Sequence, residues 1–414
     1  MDQDLQAILA ARERRAEIQT ELLAQRPAAL LCFTMNIPGR NKDSSLIRLA
    51  FRAGVERILR EFPEADHRLT RFAAGGPEAF FLLGQDAETV KELAVGIEES
   101  SPVGRLYDLD VFEPDGKKLS RGNPRVCLIC GRPTAVCTRE AAHTVDEARQ
   151  AADRLLRQFA AEKLAEEAVE SLKEEVRLTP KPGLVDLESN GAHEDMSPDL
   201  FFRSMDAIRP YFREAAVLGM ERENTMPELQ EAGLRAEAAM FSATGGVNTH
   251  KGAIYAFGLM LSALGSCLAL GAEPFSTAAS LAASGTAPGG DTHGGQVRKK
   301  YPRSGARQEA LEGFPNALSA YNVLLETGNP HKALLWLMAS VPDSNLLYRG
   351  GADGLTYVQE QSKRILMTDP PDLAATLRDL DREMTKRRLS PGGCADLLAL
   401  ALFLQKTEPI WNEE

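Results

Sequence analysis

TVDEARQAADRLLRQFAAEKLAEEAVESLKEEV, residues 144–176, is a run without glycine or proline that is rich in alanine and charged side chains. This composition predicts one long helix. Thr144 and Glu147 have the spacing of a capping box, in which each side chain bonds the other residue's backbone N–H at a helix start. The run separates two halves of the 414-residue chain that differ in their sequence patterns. We therefore predict one domain over 1–157 and another over 158–414.

The half before this helix has the pattern of mixed strands and helices. Residues 29–37 (ALLCFTMNI) form a short apolar run next to proline on either side, which predicts a buried strand. Residues 5–23 and 46–62 have helical periodicity, and residues 78–84 and 105–112 predict further strands. We therefore expect an N-terminal α/β domain built on a mixed sheet.

The half after this helix consists of helical patterns joined by loops rich in glycine and proline, which predicts an all-α domain. Its residues 252–272 contain no charged side chain and are long enough to cross a membrane. Their glycine, alanine and serine content, without flanking aromatic belts or clustered Lys and Arg, favours a buried central helix instead.

Charge and cysteine usage limit the possible partners and the compartment. A net charge of −11 disfavours binding to nucleic acid or to an anionic membrane. The acidic N-terminal sequence MDQD lacks the pattern of a secretory signal, and the six cysteines are scattered along the chain. We therefore expect a cytoplasmic protein that binds neither nucleic acid nor membrane.

Two segments of the second half repeat nearly the same motif: Gly-x-Asn-Thr-His-x-Gly at 246–252 and Gly-x-Asp-Thr-His-x-Gly at 289–295. Glycine lets the backbone approach a ligand, and a helix that starts after such a loop directs its positive end at an anion. Two capped turns in a helical domain are the structural alternative. The motifs supply groups for metal binding, hydrogen bonding and proton transfer: Asn248, His250, Asp291 and His293.

Asp108 and Asp110 stand two positions apart in a predicted strand, so their side chains point to the same face. Such pairs hold Mg²⁺ against a triphosphate in many nucleotidyl-transfer sites, and this domain is in that respect nucleotidyltransferase-like. Arg105 is placed to stabilise phosphoryl charge, and Lys42 follows a predicted strand in a turn suited to phosphate contact. A solvated strand face and a plain exposed turn are the alternatives.

Three cysteines and a histidine form the pattern Cys127-x2-Cys130-x6-Cys137-x5-His143. Thiolate and imidazole groups at this spacing can complete a tetrahedral Zn²⁺ site. Reduced cysteines packed in a core produce the same pattern, so both interpretations stay open.

Polar residues recur at the predicted helix junctions of the second half. Prolines stiffen the loop that carries Lys181 and Asp186, Glu237 lies on a helix before the first repeated motif, and Arg298 begins a dense basic run. A structural domain has no need of so many polar junctions, whereas an enzyme for a phosphorylated, metal-bound substrate does. Further members of this set are Asp195, Asn345 and Arg349.

The segments LTPKPGLVD, GGVNTHKGAI, THGG, DSNLLYRGG and SPGGCADLLA resemble triphosphoribosyl-dephospho-CoA synthase over residues 160–414. The segments FTMNIPG, NKDSSLI, GRLYDLDV and CLICGRPTAVC resemble apo-citrate lyase phosphoribosyl-dephospho-CoA transferase over residues 5–157. The resemblance implies a fusion of two consecutive enzymes that make and attach the prosthetic group of citrate lyase.

For the second half, the resemblance implies that the 2′-hydroxyl of 3′-dephospho-CoA displaces adenine from ATP and leaves the triphosphate intact. The displacement needs a triphosphate clamp, a base for the hydroxyl and a proton for adenine. We expect Mg²⁺ binding and base work from Asp186, Asp195, Glu237 and Asp291, proton transfer from His250 or His293, and nucleotide contacts from Lys181, Asn248, Lys251, Arg298, Asn345 and Arg349.

For the first half, the resemblance implies that a serine of the citrate lyase acyl carrier (γ) subunit attacks the α-phosphorus of that product and expels pyrophosphate. Asp108 and Asp110 would hold Mg²⁺, assisted by Arg105. The alternatives are a metal-dependent nucleotide N-glycosidase, an inactive assembly scaffold, and attachment to the carrier subunit of malonate decarboxylase.

Overall fold

The computed structural model describes residues 3–222, 225–285, 297, 300–301 and 304–412. The chain divides into two compact units, Met1–Ala160 (unit 1) and Ala161–Glu414 (unit 2). This division and the predicted one both fall within a single helix, Val145–Arg177. The predicted capping box begins that helix, since the Thr144 N–H donates to Glu147 Oε2 at 2.8 Å and the Glu147 N–H donates to Thr144 Oγ1 at 3.1 Å.

Unit 1 is an α/β unit with a four-stranded sheet in the order β2-β3-β1-β4, which confirms the predicted fold class of this half. All of its described strand pairings are antiparallel, so the expectation of a mixed sheet was wrong. Strand direction depends on how the connections pass over the sheet, which apolar patterning does not reveal. The elements are α1 Gln3–Leu23, β1 Ala29–Met35, α2 Ser45–Glu61, β2 Asp66–Ala73, β3 Gly76–Leu83, α3 Ala87–Glu99, β4 Tyr107–Phe112, α4 Thr134–Arg139 and the first part of α5 Val145–Arg177.

Both faces of the sheet are covered by helices. On one face α1 packs against Leu30, Cys32 and Phe80. On the other face Phe33 stacks on Phe51 of α2, with ring centroids 4.7 Å apart. This double coverage explains why β1 is a continuous apolar run, since alternate side chains of a strand point to opposite faces.

Unit 2 is helical in its described residues, which confirms the predicted all-α half. After the last part of α5, its elements are α6 Pro198–Glu221, α7 Met226–Thr244, α8 Lys251–Leu270, α9 Pro274–Ser284, α10 Ala306–Leu311, α11 Pro315–Thr327, α12 Pro330–Ser340, α13 Ser344–Thr368, α14 Leu373–Lys386 and α15 Gly392–Trp411.

Helix α8 is the buried central helix predicted from residues 252–272. It is long and apolar enough to span a membrane, and 78% of its most apolar window is buried within the protein. Helix α6 crosses α8 closely because glycines stand at the crossing: a Cβ on Gly219 would lie 1.8 Å from the Ser262 carbonyl oxygen, and one on Gly265 would lie 2.3 Å from that of Ala216. The crossing therefore leaves no room for a methyl group.

Candidate functional site

Unit 2 contains a cavity of about 1070 Å³. Ligand pockets are commonly about 300–1,000 Å³, so this cavity can take a ligand of nucleotide size. Segments that are distant in the sequence meet at its wall. The predicted site residues that line it are Lys181, Asp195, Glu237, Asn248, His250, Lys251, Asn345 and Arg349.

Long helices of unit 2 begin at this cavity. Helix α8 begins there with Lys251 and Gly252. Helix α15 begins there with Gly392 and Gly393. The unpaired N–H groups and the positive dipole end of a helix start attract anions, so the wall is suited to phosphate.

His250 precedes α8 and is 3% exposed. Its Nδ1 lies 2.7 Å from Ser204 Oγ, and Thr249 Oγ1 donates to the same oxygen at 2.8 Å. With Ser204 donating to Nδ1, the neutral ring carries its proton on Nε2. Burial, and then Lys181, lowers the pKa of His250 to about 3. The ring is therefore neutral near pH 7 and acts as a hydrogen-bond donor through Nε2.

Asp396 is a cavity-lining carboxylate that lies against the start of α8. A Cβ on Gly252 would lie 2.0 Å from Asp396 Oδ2. Burial, followed by the nearby charges of Glu175 and Asp343, raises the pKa of Asp396 well above its ordinary value. Asp396 was not among the site residues predicted from the sequence. Its signal is that it is the lone charged residue in the apolar run from Gly392 to Leu404.

Two further acids, Asp343 and Glu175, lie at the cavity wall and stabilise it. Asp343 is 1% exposed and accepts backbone N–H bonds from Asn345 at 2.7 Å and Cys394 at 2.9 Å, which joins the starts of α13 and α15. Glu175 forms a buried ion pair with Lys181, and burial raises the pKa of Glu175. Neither acid was among the site residues predicted from the sequence, because the sequence pattern does not reveal that a carboxylate is buried.

Asp186 is 2% exposed and has its oxygens engaged by the backbone. Oδ2 accepts the Lys181 N–H at 2.7 Å, and Oδ1 accepts the N–H groups of Glu188 and Ser189 at 2.8 Å each. Asp186 is not among the described residues that line the cavity. These bonds favour a role in holding the loop of Lys181, and the predicted metal or base role stays a prediction.

Ion pairs and hydrogen bonds orient the cations of the wall. Lys251 Nζ lies 2.7 Å from Glu237 Oε2. Arg349 donates to the Ala192 carbonyl oxygen at 3.0 Å, and its Nη2 lies 3.2 Å from His193 Nδ1. Burial, and then Arg349, lowers the pKa of His193 to about 4, so this ring is neutral near pH 7. The predicted phosphate-binding cations are thus held at the cavity by neighbouring groups.

The second repeated motif, residues 289–295, lies outside the described residues. The same holds for Asp291, His293 and Arg298, so their roles stay predictions.

In unit 1, Asp108 and Asp110 lie on the same half-exposed face of β4, whose alternate residues are buried. Asp108 Oδ1 is 2.8 Å from Arg125 Nη2, and Asp110 Oδ2 is 2.6 Å from Lys118 Nζ. Each carboxylate therefore has a cation beside it. The structure brings the pair together as predicted, while their role in binding Mg²⁺ stays a prediction.

A buried network missed by sequence reasoning supports β4. Arg125 Nη2 also lies 2.8 Å from Oε1 of Glu98, which is 4% exposed and accepts the Leu109 N–H at 2.8 Å. Lys91 Nζ donates to the Leu109 carbonyl oxygen at 2.8 Å. Burial raises the pKa of Glu98 and lowers that of Lys91. No motif marks these residues, because they meet only when the chain folds.

A row of polar residues extends this site across the sheet. The strand register places Arg71 opposite Glu78, Glu78 opposite Thr34, and Thr34 opposite Asp108. Arg15 Nε and Arg71 Nη2 lie 2.5 Å and 2.6 Å from the carboxylate of Glu78. Asp108 therefore shares its sheet face with guanidinium groups as well as carboxylates.

Arg105 and Lys42 bond to backbone carbonyl groups. Arg105 Nη2 donates to the Cys127 carbonyl oxygen at 2.9 Å, and Lys42 Nζ donates to that of Ile37. Burial, followed by Arg12, lowers the pKa of Lys42. The phosphoryl and phosphate roles proposed for these two cations stay predictions.

The predicted cysteine–histidine cluster forms in unit 1. Ligand atoms of Cys127, Cys130, Cys137 and His143 all lie within 4.8 Å of one another. Cys130 Sγ and Cys137 Sγ are 3.4 Å apart, and all six cysteines of the chain are free thiols. The cluster thus offers a compact set of three sulfur ligands and one nitrogen ligand.

Comparison with known proteins assigns a family to each half. Residues 3–159 match the CitX model, apo-citrate lyase phosphoribosyl-dephospho-CoA transferase. Residues 161–414 match the CitG model, ATP:dephospho-CoA triphosphoribosyl transferase. The resemblances seen in the sequence are thereby confirmed.

Relatives that contain both halves are similar along nearly the whole chain. Protein CitXG of Haemophilus influenzae is 36% identical over 446 residues, covering 96% of this chain and 95% of the relative. Protein CitXG of Leuconostoc mesenteroides subsp. cremoris is 32% identical, covering 97% of each. The 2-(5''-triphosphoribosyl)-3'-dephosphocoenzyme-A synthase of Haemophilus ducreyi is 35% identical over 66% of this chain. The chain therefore belongs to the CitXG family, in which a CitX segment and a CitG segment are fused.

Proposed function

We propose that each unit carries one of the two reactions of this family, at the cavity of unit 2 and at the polar face of β4. The chain is a bifunctional enzyme of citrate lyase prosthetic-group synthesis. Its synthase reaction converts ATP and 3′-dephospho-CoA into 2′-(5″-triphosphoribosyl)-3′-dephospho-CoA and adenine. Its transferase reaction attaches the phosphoribosyl-dephospho-CoA group to a carrier protein.

The observation that carries the assignment of the cavity is its convergence of cations and helix starts. Helices α8 and α15 begin at the wall, and Lys251 and Arg349 line it. Together these groups cradle a triphosphate, which the synthase reaction must bind and leave intact. A cavity also limits access of water, which would otherwise compete with the acceptor hydroxyl.

Asp396 is the proposed general base. Its raised pKa makes it a stronger base than an ordinary carboxylate, so it can take the proton of the 2′-hydroxyl as the oxygen–C1 bond forms. The bond from C1 to adenine breaks, and the departing adenine takes up one proton, so protons balance. His250 donates a hydrogen bond from Nε2 to the leaving base, which lowers the charge that develops on it.

The donor chemistry of both sites fits Mg²⁺. Asp195 and Glu237 line the cavity, and Asp108 and Asp110 share a face of β4, so each site presents the carboxylate oxygens that this ion prefers. Mg²⁺ bound there would neutralise the charge of the triphosphate. Asp291 remains a proposed additional ligand in unit 2.

The β4 face is the proposed transferase site, and its acceptor is a serine of the citrate lyase acyl carrier γ subunit. The serine oxygen forms a bond to the α-phosphorus, the bond to the β-phosphate breaks, and pyrophosphate leaves while the hydroxyl proton is released. Arg125 lies beside Asp108 and orients it. The row that contains Arg71 adds positive charge on the same sheet face, which offsets phosphate charge.

The cluster of Cys127, Cys130, Cys137 and His143 is a proposed Zn²⁺ site. A tetrahedral Zn²⁺ ion with bonds of about 2.3 Å to sulfur separates its sulfur ligands by about 3.8 Å. The separations here, from 3.4 Å between Cys130 and Cys137 up to 4.8 Å, are compatible with that spacing. The six free thiols also support the proposal that the protein acts in the reducing cytoplasm.

One experiment tests the proposed function. The protein is incubated with ATP and Mg²⁺, with or without 3′-dephospho-CoA, and adenine is measured by chromatography; purified carrier subunit is then added and weighed by mass spectrometry. We expect adenine release only with 3′-dephospho-CoA, and then a mass increase on the carrier. Release without the acceptor would support an N-glycosidase, and an unmodified carrier would support a scaffold.

The choice of carrier is tested in the same assay. The γ subunit of citrate lyase is compared with the carrier subunit of malonate decarboxylase at equal concentration. We expect preferential modification of the citrate lyase carrier, and the opposite preference would overturn that assignment. Neither the hydrolase nor the malonate decarboxylase alternative is supported by the comparisons.

A further inference from the structure

The cysteine–histidine cluster closes a hairpin that lies beside the transferase residues. The Thr134 N–H donates to the Arg125 carbonyl oxygen at 2.8 Å, and Val126 pairs with Pro133 in an antiparallel bridge. Between these ends, the Cys127 N–H donates to the Arg132 carbonyl oxygen at 2.7 Å. We call residues 125–134 the cysteine hairpin.

The turn of the cysteine hairpin wraps around a sulfur atom. The Ile129 N–H donates to Cys127 Sγ at 3.5 Å, and the Gly131 N–H donates to the Cys127 carbonyl oxygen at 3.2 Å. Gly131 has φ of 74°, which a residue with a side chain adopts only at a cost. A backbone N–H aimed at a cysteine sulfur supports a thiolate that binds metal, since second-shell hydrogen bonds orient metal ligands.

Little apolar packing stabilises this hairpin. Val126 is 51% exposed and Ile129 is 38% exposed, so its apolar side chains contribute little burial. Cys127 and Cys137 are the buried side chains of the region, at 8% and 6% exposure. A small loop without a core is commonly stabilised by a metal, whose binding free energy becomes folding free energy.

Two arginines connect the hairpin to β4. Arg105, two residues before the start of β4, donates to the Cys127 carbonyl oxygen at 2.9 Å. Arg125 is the first residue of the hairpin, and its side chain donates to the Tyr107 carbonyl oxygen at 2.9 Å and to Asp108 at 2.8 Å. The position of the Arg125 guanidinium therefore depends on the fold of the hairpin.

We infer that Zn²⁺ bound by the cysteine–histidine cluster fixes the cysteine hairpin and thereby positions Arg125 at Asp108 of β4, so that carrier attachment depends on the metal while adenine release does not. This inference rests on the proposed transferase site. Arg125 is in this view a positioning residue that orients Asp108, and Zn²⁺ takes no part in the chemistry.

The test uses the full chain and four variants. Cys130→Ser removes a cluster ligand, Arg125→Ala removes the connection to β4 while keeping the cluster ligands, and Arg125→Lys keeps a cation at that position. Cys267→Ser is the matched control, because Cys267 lies on α8 in unit 2. Metal content is measured by plasma mass spectrometry, and backbone exchange of residues 125–137 is followed by hydrogen–deuterium mass spectrometry. Adenine release and carrier attachment are assayed separately, the latter with purified intermediate.

The unaltered chain and Cys267→Ser should bind about one Zn²⁺ per chain. Cys130→Ser should lose the metal, exchange faster over residues 125–137 and attach the group to the carrier about tenfold more slowly or worse, with adenine release unchanged. Arg125→Ala should lose attachment to a similar extent but keep both metal and slow exchange. Arg125→Lys should recover part of the attachment rate, because it restores a cation beside Asp108.

Three results would overturn the inference: a purified chain without Zn²⁺ and with a Cys130–Cys137 disulfide, a Cys130→Ser variant that attaches the group at the full rate, or a Cys130→Ser variant that loses adenine release as well. A chain that binds Zn²⁺ but never modifies the carrier, even unaltered, would instead count against the proposed function. The two failures are therefore distinguishable.

Discussion

The two proposed triphosphate sites differ in the exposure of their charged side chains. In unit 1 the carboxylates of β4 lie half-exposed on a strand, and each is beside a cation. In unit 2 Asp396 and His250 lie in a helical cavity, where burial shifts their pKa values strongly. The difference matches the acceptors: a serine on a folded protein must reach an open face, whereas a small molecule can be enclosed. Charge pairing therefore dominates one site, and desolvation dominates the other.

The largest effect that tests this contrast is expected at Asp396. Asp396→Asn removes the proposed base without changing the volume of the side chain, and should slow adenine release by about 10²–10⁴-fold. Adenine release with saturating ATP and 3′-dephospho-CoA is the measurement. Attachment from purified intermediate serves as the control for folding and should stay normal. Near-normal adenine release would remove Asp396 from the mechanism.

The second prediction concerns a substitution in unit 1 that should affect carrier attachment and not adenine release. Asp110→Asn should slow carrier attachment by about 100-fold or more, since an amide binds Mg²⁺ weakly and no longer pairs with Lys118. The mass of the carrier subunit reports the effect, and adenine release should persist. If both activities were lost together, the separation into two sites would be wrong or the variant would be misfolded, and a thermal unfolding profile distinguishes these outcomes.

A smaller effect, on stability alone, is expected where α6 crosses α8. Gly265→Ala places a methyl group 2.3 Å from the Ala216 carbonyl oxygen, and should lower the free energy of unfolding of unit 2 by about 1–3 kcal/mol. Gly233→Ala in α7 is the matched control, because its Cβ would lie 3.5 Å from Tyr211 Oη, an ordinary contact. Denaturant unfolding should show a loss for the first variant and none for the second; equal stabilities would contradict the close crossing.

A separate effect concerns the pH dependence of stability. His250 has a pKa of about 3 when folded and 6.5 in the unfolded chain, because burial and then Lys181 disfavour its charged form. The unfolded chain therefore binds the proton first, so this contribution to stability is complete above pH 6.5 and declines as the pH falls toward 3.

His250→Gln should accordingly flatten the fall of unfolding free energy between about pH 7 and pH 4 relative to the unaltered chain. Denaturant titrations at several pH values within that window measure the two slopes. Identical slopes would mean that His250 is not held neutral by the cavity.

Sequence patterns predicted the elements in which the apolar residues coincide with the buried positions. The run at β1 and the apolar helix α8 were recognisable because each is enclosed on all sides. Strand β2 was missed, since it lies at the sheet edge with mostly exposed residues, and its pattern has no apolar alternation. Sheet direction was also missed, because the chain connections determine it.

The same limit applies to the sites. Residues such as His250 and Lys251 were recognisable because glycine and proline mark the loops in which they lie. Asp396 and Glu98 were not, since their chemistry arises only when distant segments bury them. Asp186 was selected for its residue type and spacing, and the sequence did not reveal that its oxygens accept backbone N–H groups of its own loop. Residue type shows which chemistry a side chain can perform, and the tertiary structure determines which groups it contacts.

The contact between Gly252 and Asp396 has an evolutionary consequence. The Asp396 carboxylate occupies the space that a methyl group at position 252 would need. Substitution at either of the two positions is therefore constrained by the residue at the other. A lineage that acquires alanine at position 252 must shorten or displace the acid at 396 in the same step, and thereby lose the proposed base. Stability screens of mutational libraries should therefore show epistasis between the two positions, with alanine at 252 better tolerated beside a smaller residue at 396.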